Sequence, residues 1–261
     1  MFTLGIDIGS TTSKCVLLED GARIVAQGLV DAGIGTAGPE EVFRQVLAQS
    51  GITPEQIARK TATGYGRTRW QDADQEISEL SAHALGCHFL LPEARTVIDI
   101  GGQDAKVIAL DDQGRMSGFV MNDKCAAGTG RFLEVMAGIL KLRVDELGDM
   151  AAKAEHPVNI SSTCTVFAES EVISQLANGA PVPDVVAGIC QSVAGRVAAL
   201  AKRAGVREAV CMSGGVARNS GVREALSQAL GTPVIWSPMA QMAGALGAAL
   251  HGWQRCKKTD G

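Results

Sequence analysis

Residues 5–21 read GIDIGSTTSKCVLLEDG, and residues 97–114 read VIDIGGQDAKVIALDDQG. When the two stretches are aligned at an offset of 92 residues, six of the thirteen positions from Ile6 to Leu18 are identical. The identities include an Ile-Asp-Ile-Gly run and a lysine that follows its glycine by five residues. Self-similarity of this kind indicates that the chain contains two copies of one supersecondary unit.

Each copy continues with the same order of local patterns. An apolar run ends in a glycine turn, a β-rich run follows, and a turn of acidic residues and glycine leads into a third extended run, at 23–30 and at 116–121. These signals predict a three-stranded meander in each copy. Helical patterns occur at about 39–50, 128–140, 185–204 and 242–252. With a further strand predicted at 208–212, the chain is expected to have an α/β fold with mixed sheets and a boundary near 93–96.

Composition excludes several classes of function. The chain has 261 residues, of which 46% are hydrophobic and 20% charged, and its net charge is −4. No basic block suggests a surface for nucleic acid or for a membrane. No run of 18 uninterrupted apolar residues and no signal-peptide pattern is found. The seven cysteines show no disulfide spacing, which is typical of a reducing compartment, so a cytoplasmic protein is expected.

Two acids at the ends of apolar strands, Asp7 and Asp99, are candidates for magnesium binding. A hard cation prefers oxygen ligands, which a carboxylate provides directly or through water. The glycines and small hydroxyl residues after each acid let backbone N–H groups approach phosphate oxygens. Ordinary β-turns would explain either stretch alone, but the repetition and a third glycine turn, SGGVARN at 213–219, favour a nucleotide site. The chain contains no GxxxxGK[ST], so a P-loop is excluded, and GTG at 128–130 does not continue as GxGxxG.

The three motifs resemble those of a known superfamily. GIDIGSTTSK is similar to the first phosphate motif of the actin, sugar-kinase and heat-shock-chaperone ATPases, VIDIGGQDAK to the second, and MSGGVARN to the adenosine motif. The resemblance implies two ribonuclease-H-like lobes with ATP and Mg²⁺ in a cleft between them and hinge-like opening and closing. It also implies that the last helix returns to the first lobe. The first lobe is then expected to comprise 1–95 plus 240–261, and the second 96–239.

The motifs assign candidate roles to individual residues. Asp7 and Asp99 are expected to position Mg²⁺ or its water shell. Either Gln103 or Asp104 is expected to orient the water that attacks ATP, and the sequence does not choose between them. The phosphates of ATP or ADP are expected to lie against Gly9, Ser10, Thr11, Thr12, Gly101 and Gly102. Lys14 is a further candidate phosphate ligand, although a lysine just past a turn is as often a solvated charge. The adenosine end is expected at Gly214, Gly215 and Asn219.

Two single cysteines, Cys125 and Cys164, lie in the loops NDKCAAGTGRF and NISSTCTVFAE, just before apolar helical patterns. A helix N-terminus carries a partial positive charge and unpaired N–H donors, which favour thiolate over thiol. The cysteines expected in the core are Cys15, Cys87, Cys190 and Cys211, whereas Cys256 is expected at the surface. Two loop thiols are either a reactive pair or two metal ligands. Zinc and iron–sulfur sites normally need four ligands, which a symmetric dimer supplies from its two chains.

The two cysteine segments resemble the cluster-ligand segments of the activators of 2-hydroxyacyl-CoA dehydratases and of the related ATPase subunits of benzoyl-CoA reductase. The resemblance implies a homodimer with one 4Fe–4S cluster between its subunits. Cys125 and Cys164 would be the ligands, each capping a helix aimed at the cluster. It also implies that a ferredoxin or flavodoxin donates electrons, and that the acceptor is a dehydratase or reductase with its own iron–sulfur cluster.

The expected function is therefore an ATPase coupled to electron transfer, which activates its partner enzyme by one-electron reduction. Two other classes of function stay open. A small-molecule kinase of the same superfamily would explain the ATP motifs, leave both loop cysteines unexplained and contain no iron. A chaperone-like or zinc-bridged regulatory dimer would bind partners in a nucleotide-dependent manner without any redox change.

Overall fold

The computed structural model describes residues 1–161 and 164–259. Asp260 and Gly261, which the sequence assigns to the first lobe, lie outside the described residues, as do Ser162 and Thr163 in the segment around Cys164. The chain divides into two compact units. The first comprises Met1–Glu93, Asp111–Met116 and the chain from Gln241 onward, and the second comprises Ala94–Leu110 and Ser117–Ala240.

Strands and helices alternate along the described chain. In chain order the strands are β1 (Phe2–Ile8), β2 (Ser13–Glu19), β3 (Arg23–Val30), β4 (Ile57–Thr63), β5 (Gln75–Glu76), β6 (Thr96–Ile100), β7 (Ala105–Leu110), β8 (Met116–Asn122), β9 (Val210–Ser213) and β10 (Val234–Trp236). The helices are α1 (Gly38–Ser50), α2 (Glu79–Leu90), α3 (Gly130–Leu140), α4 (Leu147–Ala151), α5 (Thr165–Ala177), α6 (Val182–Ala204), α7 (Ser220–Leu230) and α8 (Ala243–Thr259).

The first unit is built on a five-stranded sheet in the order β3-β2-β1-β4-β5. β1 pairs antiparallel with β2 and parallel with β4, so it is the central strand and is buried along nearly its whole length. α8 packs against β1, β2 and β4, and α2 packs against α8. Local signals set the helix ends: α1 has Pro39 in its first turn and ends at Gly51, whose φ of +70° is the left-handed conformation that suits glycine.

The second unit is built on a five-stranded sheet in the order β10-β9-β6-β7-β8. Counted from the first strand of each unit, both sheets have the order third, second, first, fourth, fifth. The two antiparallel pairs also share their register, because Asp7 faces Lys14 in one and Asp99 faces Lys106 in the other. The repeat read from the sequence therefore corresponds to two copies of the same sheet.

The core of the second unit forms around α6. Thirteen of the residues of this helix are buried, and they pack with the inner faces of β6, β7 and β9 and with α3, α4, α5 and α7. Among the described residues, α6 is long and apolar enough by length and composition to cross a membrane, but 72% of its apolar window is buried in the protein. Burial of this extent is typical of the central helix of a folded domain.

The cysteines divide by burial. Cys15, Cys87, Cys190 and Cys211 are buried, as the sequence predicts. The prediction that Cys256 lies at the surface is wrong, because only 8% of this residue is exposed. Its charged neighbours Arg255 and Lys257 are exposed on other sides of α8. Adjacent residues on a helix point about 100° apart, so charged neighbours in sequence do not report the exposure of the residue between them.

Candidate functional site

The turn between β1 and β2 carries the first candidate phosphate site. The Gly9 N–H donates to the Thr12 carbonyl oxygen at 3.0 Å, which closes the turn. Thr11 is exposed, and Ser10 and Thr12 are half-buried. The turn therefore lies at the surface of the first unit and carries three hydroxyl groups that are able to donate to an anion.

Asp7 lies at the end of β1, just before this turn, and only 3% of it is exposed. Lys14 Nζ lies 3.2 Å from Asp7 Oδ2, whereas Asp7 Oδ1 is buried and has no hydrogen-bond partner among the described residues. Two glycines leave room for the carboxylate: an added Cβ would lie 2.5 Å from Oδ1 at Gly64 and 3.0 Å from Oδ2 at Gly244. A buried carboxylate oxygen without a partner is costly unless water or a cation meets it. This site therefore fits Mg²⁺ or one of its water ligands.

The turn between β6 and β7 repeats this geometry with a different set of partners. The Gly101 N–H donates to the Asp104 carbonyl oxygen at 2.9 Å, as in the first turn. Asp99 is 2% exposed, and its Oδ1 accepts from Ser213 Oγ at 2.9 Å. The buried Lys106 Nζ lies 3.5 Å from Asp99 Oδ2 and 2.6 Å from Asp104 Oδ2. One buried ammonium thus connects two carboxylates of the second turn.

Gln103 and Asp104, the two candidates for orienting a water, are in different environments. Asp104 is 4% exposed and forms the short ion pair with Lys106. Gln103 is exposed. Because a buried ion pair holds both side chains in one geometry, Asp104 is fixed inside the turn, whereas Gln103 is accessible to solvent.

The first turn of α3 is joined by its backbone to the second candidate phosphate turn, between β6 and β7. The Gly130 N–H donates to the Gly101 carbonyl oxygen at 2.9 Å, and the Arg131 N–H donates to the Gly102 carbonyl oxygen at 2.8 Å. The first N–H groups of a helix have no partner within the helix. Here the carbonyl groups of the phosphate turn serve as their acceptors, since the N-cap residue Thr129 makes no side-chain cap bond. A shift of the turn must therefore move the start of α3 or break these bonds.

Cys125 and Cys164 are the two exposed cysteines. Cys164 occupies the N-cap position of α5. The expectation that Cys125 also caps a helix is wrong: the N-cap of α3 is Thr129, four residues later. The reason is an additional turn, in which the Thr129 N–H and Oγ1 both donate to the Ala126 carbonyl oxygen. Asn122 Nδ2 donates to the Cys125 carbonyl oxygen at 3.1 Å and holds the start of this loop.

The two exposed thiols are chemically better suited to metal binding than the buried ones. Burial raises the pKa of Cys190 to about 12 and raises the pKa of Cys15 well above its ordinary value, so both stay protonated thiols. A metal ligand must be a thiolate, which favours exposed cysteines over buried ones. Two such ligands per chain become four in a two-fold dimer, the number that a 4Fe–4S cluster requires.

The third motif lies where β9 ends and α7 begins. Gly214 has φ of +81°, and an added Cβ there would lie 2.8 Å from Asp99 Oδ1, so this position requires glycine. Gly215 begins a short 3₁₀ turn. Asn219 is the N-cap of α7, and its Oδ1 accepts from the Val222 N–H at 3.0 Å. Asn219 Nδ2 is buried and has no partner among the described residues, which leaves it available to a nucleotide.

Sequence reasoning did not select Lys106 and Ser213, although both contact Asp99. A signal for Lys106 was present, because it aligns with the candidate Lys14 in the repeat. The signal for Ser213 is not local. It contacts Asp99 because β6 and β9 pair in parallel with Asp99 opposite Ser213, across more than one hundred residues of chain.

Known proteins similar to this chain share its whole length. The family described as "BadF/BadG/BcrA/BcrD ATPase family" matches residues 4–252. The chain is 54% identical over 259 residues to the (R)-2-hydroxyglutaryl-CoA dehydratase activating ATPase of Acidaminococcus fermentans, and the match covers 99% of each chain.

Solved structures agree with this relationship. The activator of the 2-hydroxyisocaproyl-CoA dehydratase from Clostridium difficile, with bound ADPNP, has a TM-score of 0.97 and 53% identity, over 100% of this chain and 97% of that chain. The ROK hexokinase of Thermus thermophilus has a TM-score of 0.55 and 16% identity, over 99% of this chain and 100% of that chain, which is a likeness of fold alone. The α/β fold with two lobes of the actin-like ATPase type, expected from the sequence, is confirmed.

Proposed function

This chain belongs to the BadF/BadG/BcrA/BcrD ATPase family, and we propose that it is the ATP-dependent activator of an enzyme of the 2-hydroxyacyl-CoA dehydratase type. In this proposal the protein binds ATP, hydrolyses it and delivers single electrons to its partner enzyme. Identity above one half to activators of such dehydratases, over essentially the whole of both chains, supports this function.

The observation that carries the proposal is the link between the second phosphate turn and α3. The carbonyl groups of Gly101 and Gly102 accept from the first N–H groups of α3, and the loop before α3 carries Cys125. Binding of ATP at this turn, or loss of its γ-phosphate on hydrolysis, would therefore displace the start of α3, the helix that follows the candidate cluster ligand Cys125.

The two turns are the proposed sites of contact with the nucleotide phosphates. Asp7, with its unpartnered Oδ1, and Asp99 are the acids that would position Mg²⁺. The backbone groups and hydroxyls that would cradle the phosphates belong to Gly9, Ser10, Thr11, Thr12, Gly101 and Gly102. Lys14 holds Asp7 and would contact phosphate from the same place. Gln103 is the better candidate for orienting the attacking water, because Asp104 is held by Lys106.

The adenosine end is proposed at the third motif. Gly214 and Gly215 provide close approach of the backbone, and the buried Asn219 amide would donate to the nucleotide. With adenosine bound there, the triphosphate would extend toward Asp99, and the closeness of Gly214 to the Asp99 carboxylate supports this direction.

Cys125 and Cys164 from two protomers would hold the shared 4Fe–4S cluster, which when bound supplies a one-electron reductant at low potential. The chain contributes the two thiolates, the helix N-terminus behind Cys164, and the loop that Asn122 holds at Cys125. Proposed partners are a second copy of the chain, an acyl-CoA dehydratase or reductase with its own iron–sulfur cluster, and a ferredoxin or flavodoxin as donor. A cytoplasmic location suits all of them.

The decisive experiment measures the amount of iron and acid-labile sulfide per dimer in anaerobically purified protein. About four irons per dimer are expected, and Cys125→Ser or Cys164→Ser should each abolish them. Cys256→Ser is the matched control, because this thiol is buried in the other unit and should leave the iron content unchanged.

The same preparations distinguish the alternatives. Iron-free protein after anaerobic reconstitution that consumes ATP only with a sugar-like substrate would replace the proposal with a small-molecule kinase. Zinc bound by the two cysteines with no redox change would instead support a regulatory dimer.

A further inference from the structure

A groove of about 260 Å³ lies between α6 and the loop that carries Cys125. On the loop side it is lined by Asn122, Ala127 and Gly128, which flank the cysteine in sequence. On the helix side it is lined by two arginines, Arg196 and Arg203, which lie seven residues apart and therefore on one face of α6. All of these residues belong to the second unit.

One wall of the groove belongs to a segment with only basic charged residues, in a chain that is acidic overall. Residues 185–207 include Arg196, Lys202, Arg203 and Arg207 and contain no aspartate or glutamate, although the whole chain has a net charge of −4. Arg203 is exposed, and Arg196 is half-buried. The guanidinium of an exposed arginine such as Arg203 is a planar set of donors that matches a carboxylate.

The Cys125 loop rests on one of these arginines. Gly128 has φ of +90°, and an added Cβ there would lie 3.4 Å from Arg196 Cβ and 3.5 Å from Arg196 Cδ. The aliphatic part of Arg196 thus packs under the loop between Cys125 and α3. A group bound in the groove therefore contacts the wall of the cysteine loop itself.

We propose that this groove docks a carboxylate-rich surface of the redox protein that delivers electrons to the site at Cys125. The proposal rests on the proposed function and names the side from which the donor approaches. Opposite charges steer encounters and raise association rates, and they lose strength as salt is added. Electron-transfer encounters use small, weak interfaces, which suits a groove of this size with two arginines. Docking itself makes and breaks no covalent bond.

Binding is measured with an acidic ferredoxin as the probe, added in its oxidised form to anaerobically purified protein at low and at high ionic strength. Arg203→Glu is expected to weaken binding about tenfold at low ionic strength and to flatten the salt dependence. The exposed Lys202 lies next to Arg203 but does not line the groove, so Lys202→Glu is the matched control for net charge. Equal losses in the two variants, or none in Arg203→Glu, would overturn the groove as the docking site.

A second readout separates this proposal from the proposed function. Reduction of the protein is followed by absorbance, once with reduced ferredoxin and once with dithionite. Arg203→Glu should slow reduction by ferredoxin about tenfold and leave reduction by dithionite unchanged. An effect seen only in the interaction with the acyl-CoA enzyme, or inorganic phosphate binding in the groove without any effect on ferredoxin, would overturn the donor as occupant. Wild-type protein without a reducible cluster would instead remove the proposed function.

Discussion

The Gly130 N–H donates to the Gly101 carbonyl oxygen at 2.9 Å, so α3 begins on the turn between β6 and β7. This bond joins the turn that is proposed to bind nucleotide phosphate to the helix that follows Cys125, a proposed cluster ligand. A rigid helix whose end is fixed to a turn transmits a displacement of that turn, because interiors are closely packed and deform little.

Substitution at this contact should uncouple ATP turnover from activation of the partner enzyme. In Gly130→Ala the added Cβ would lie 3.1 Å from the Gly101 carbonyl oxygen, so the helix or the turn must move by a few tenths of an ångström. We expect ATP hydrolysis to change less than about threefold and activation of the dehydratase to fall roughly tenfold, since small misplacements are costly at a reacting centre. Both are measured in one coupled assay.

Gly138→Ala on the same helix is the control. Nothing lies within 4 Å of a Cβ at this exposed position, so the variant should gain about 0.5–1 kcal/mol in helix stability and keep full activity. If Gly130→Ala behaves like Gly138→Ala, the contact does not transmit the nucleotide state.

Asp7→Asn should reduce ATP hydrolysis about 100-fold and raise the Mg²⁺ concentration required for activity. The substitution removes the negative charge of the carboxylate, whose Oδ1 has no partner among the described residues, and leaves the Lys14 ammonium without its counter-ion. The measurement is kcat as a function of Mg²⁺ concentration. Asp31→Asn, at an exposed position of the same unit, should match the wild type. Unchanged Mg²⁺ dependence in Asp7→Asn would remove Asp7 from the metal site.

Gln103→Ala and Asp104→Asn should both lower ATP hydrolysis, but for different reasons. Gln103 is exposed, so its loss should lower kcat with no change in thermal unfolding. Asp104→Asn breaks the buried ion pair with Lys106, and removal of one partner of such a pair costs about 3–5 kcal/mol. Calorimetry beside single-turnover ATP hydrolysis separates the effects. A stable Asp104→Asn variant with no activity would reverse the two assignments.

Alkylation of cluster-free protein should modify Cys125 and Cys164 and spare the buried cysteines. The pKa of Cys190 is raised to about 12 by burial, and burial raises the pKa of Cys15 as well, so neither residue provides the thiolate that attacks iodoacetamide and displaces its iodide. Mass spectrometry counts the modified sites. When the protein is reconstituted with iron and sulfide before alkylation, both exposed cysteines should be protected. Protection of only one would contradict a shared site.

Stability should decline as the pH falls below neutrality, and His251 should contribute to this decline. Burial, with Arg255 and Lys258 nearby, lowers the pKa of His251 below its ordinary value. The unfolded chain then binds a proton more readily than the folded one, so the contribution of this residue is complete above about pH 6.5 and is lost as the pH falls through the folded pKa. The free energy of unfolding, measured with denaturant at several pH values across this range, should depend less steeply on pH in His251→Gln than in the wild type. The exposed His156→Gln variant should keep the wild-type slope.

Local pattern was enough for most of the fold. The Ile-Asp-Ile-Gly repeat, the alternation of strands and the glycine turns predict two meanders, and β3 begins and ends where the pattern places it, at Arg23–Val30. The helix predicted from about residue 128 begins at Gly130. Each of these features is encoded by residues that are neighbours in the chain, so turn chemistry and hydrophobic period report it.

The sequence by itself determined that the chain contains two copies of one unit, that the fold is of the α/β class, and that Asp7, Asp99 and Cys164 are candidate site residues. Tertiary structure alone decided that Ser213 reaches Asp99, that Cys256 is buried and that α3 starts on the carbonyl groups of the turn between β6 and β7. The reason is physical: these contacts join segments that are distant in sequence, and their partners are chosen by sheet pairing and close packing. Neither leaves a periodic signal in the residues themselves.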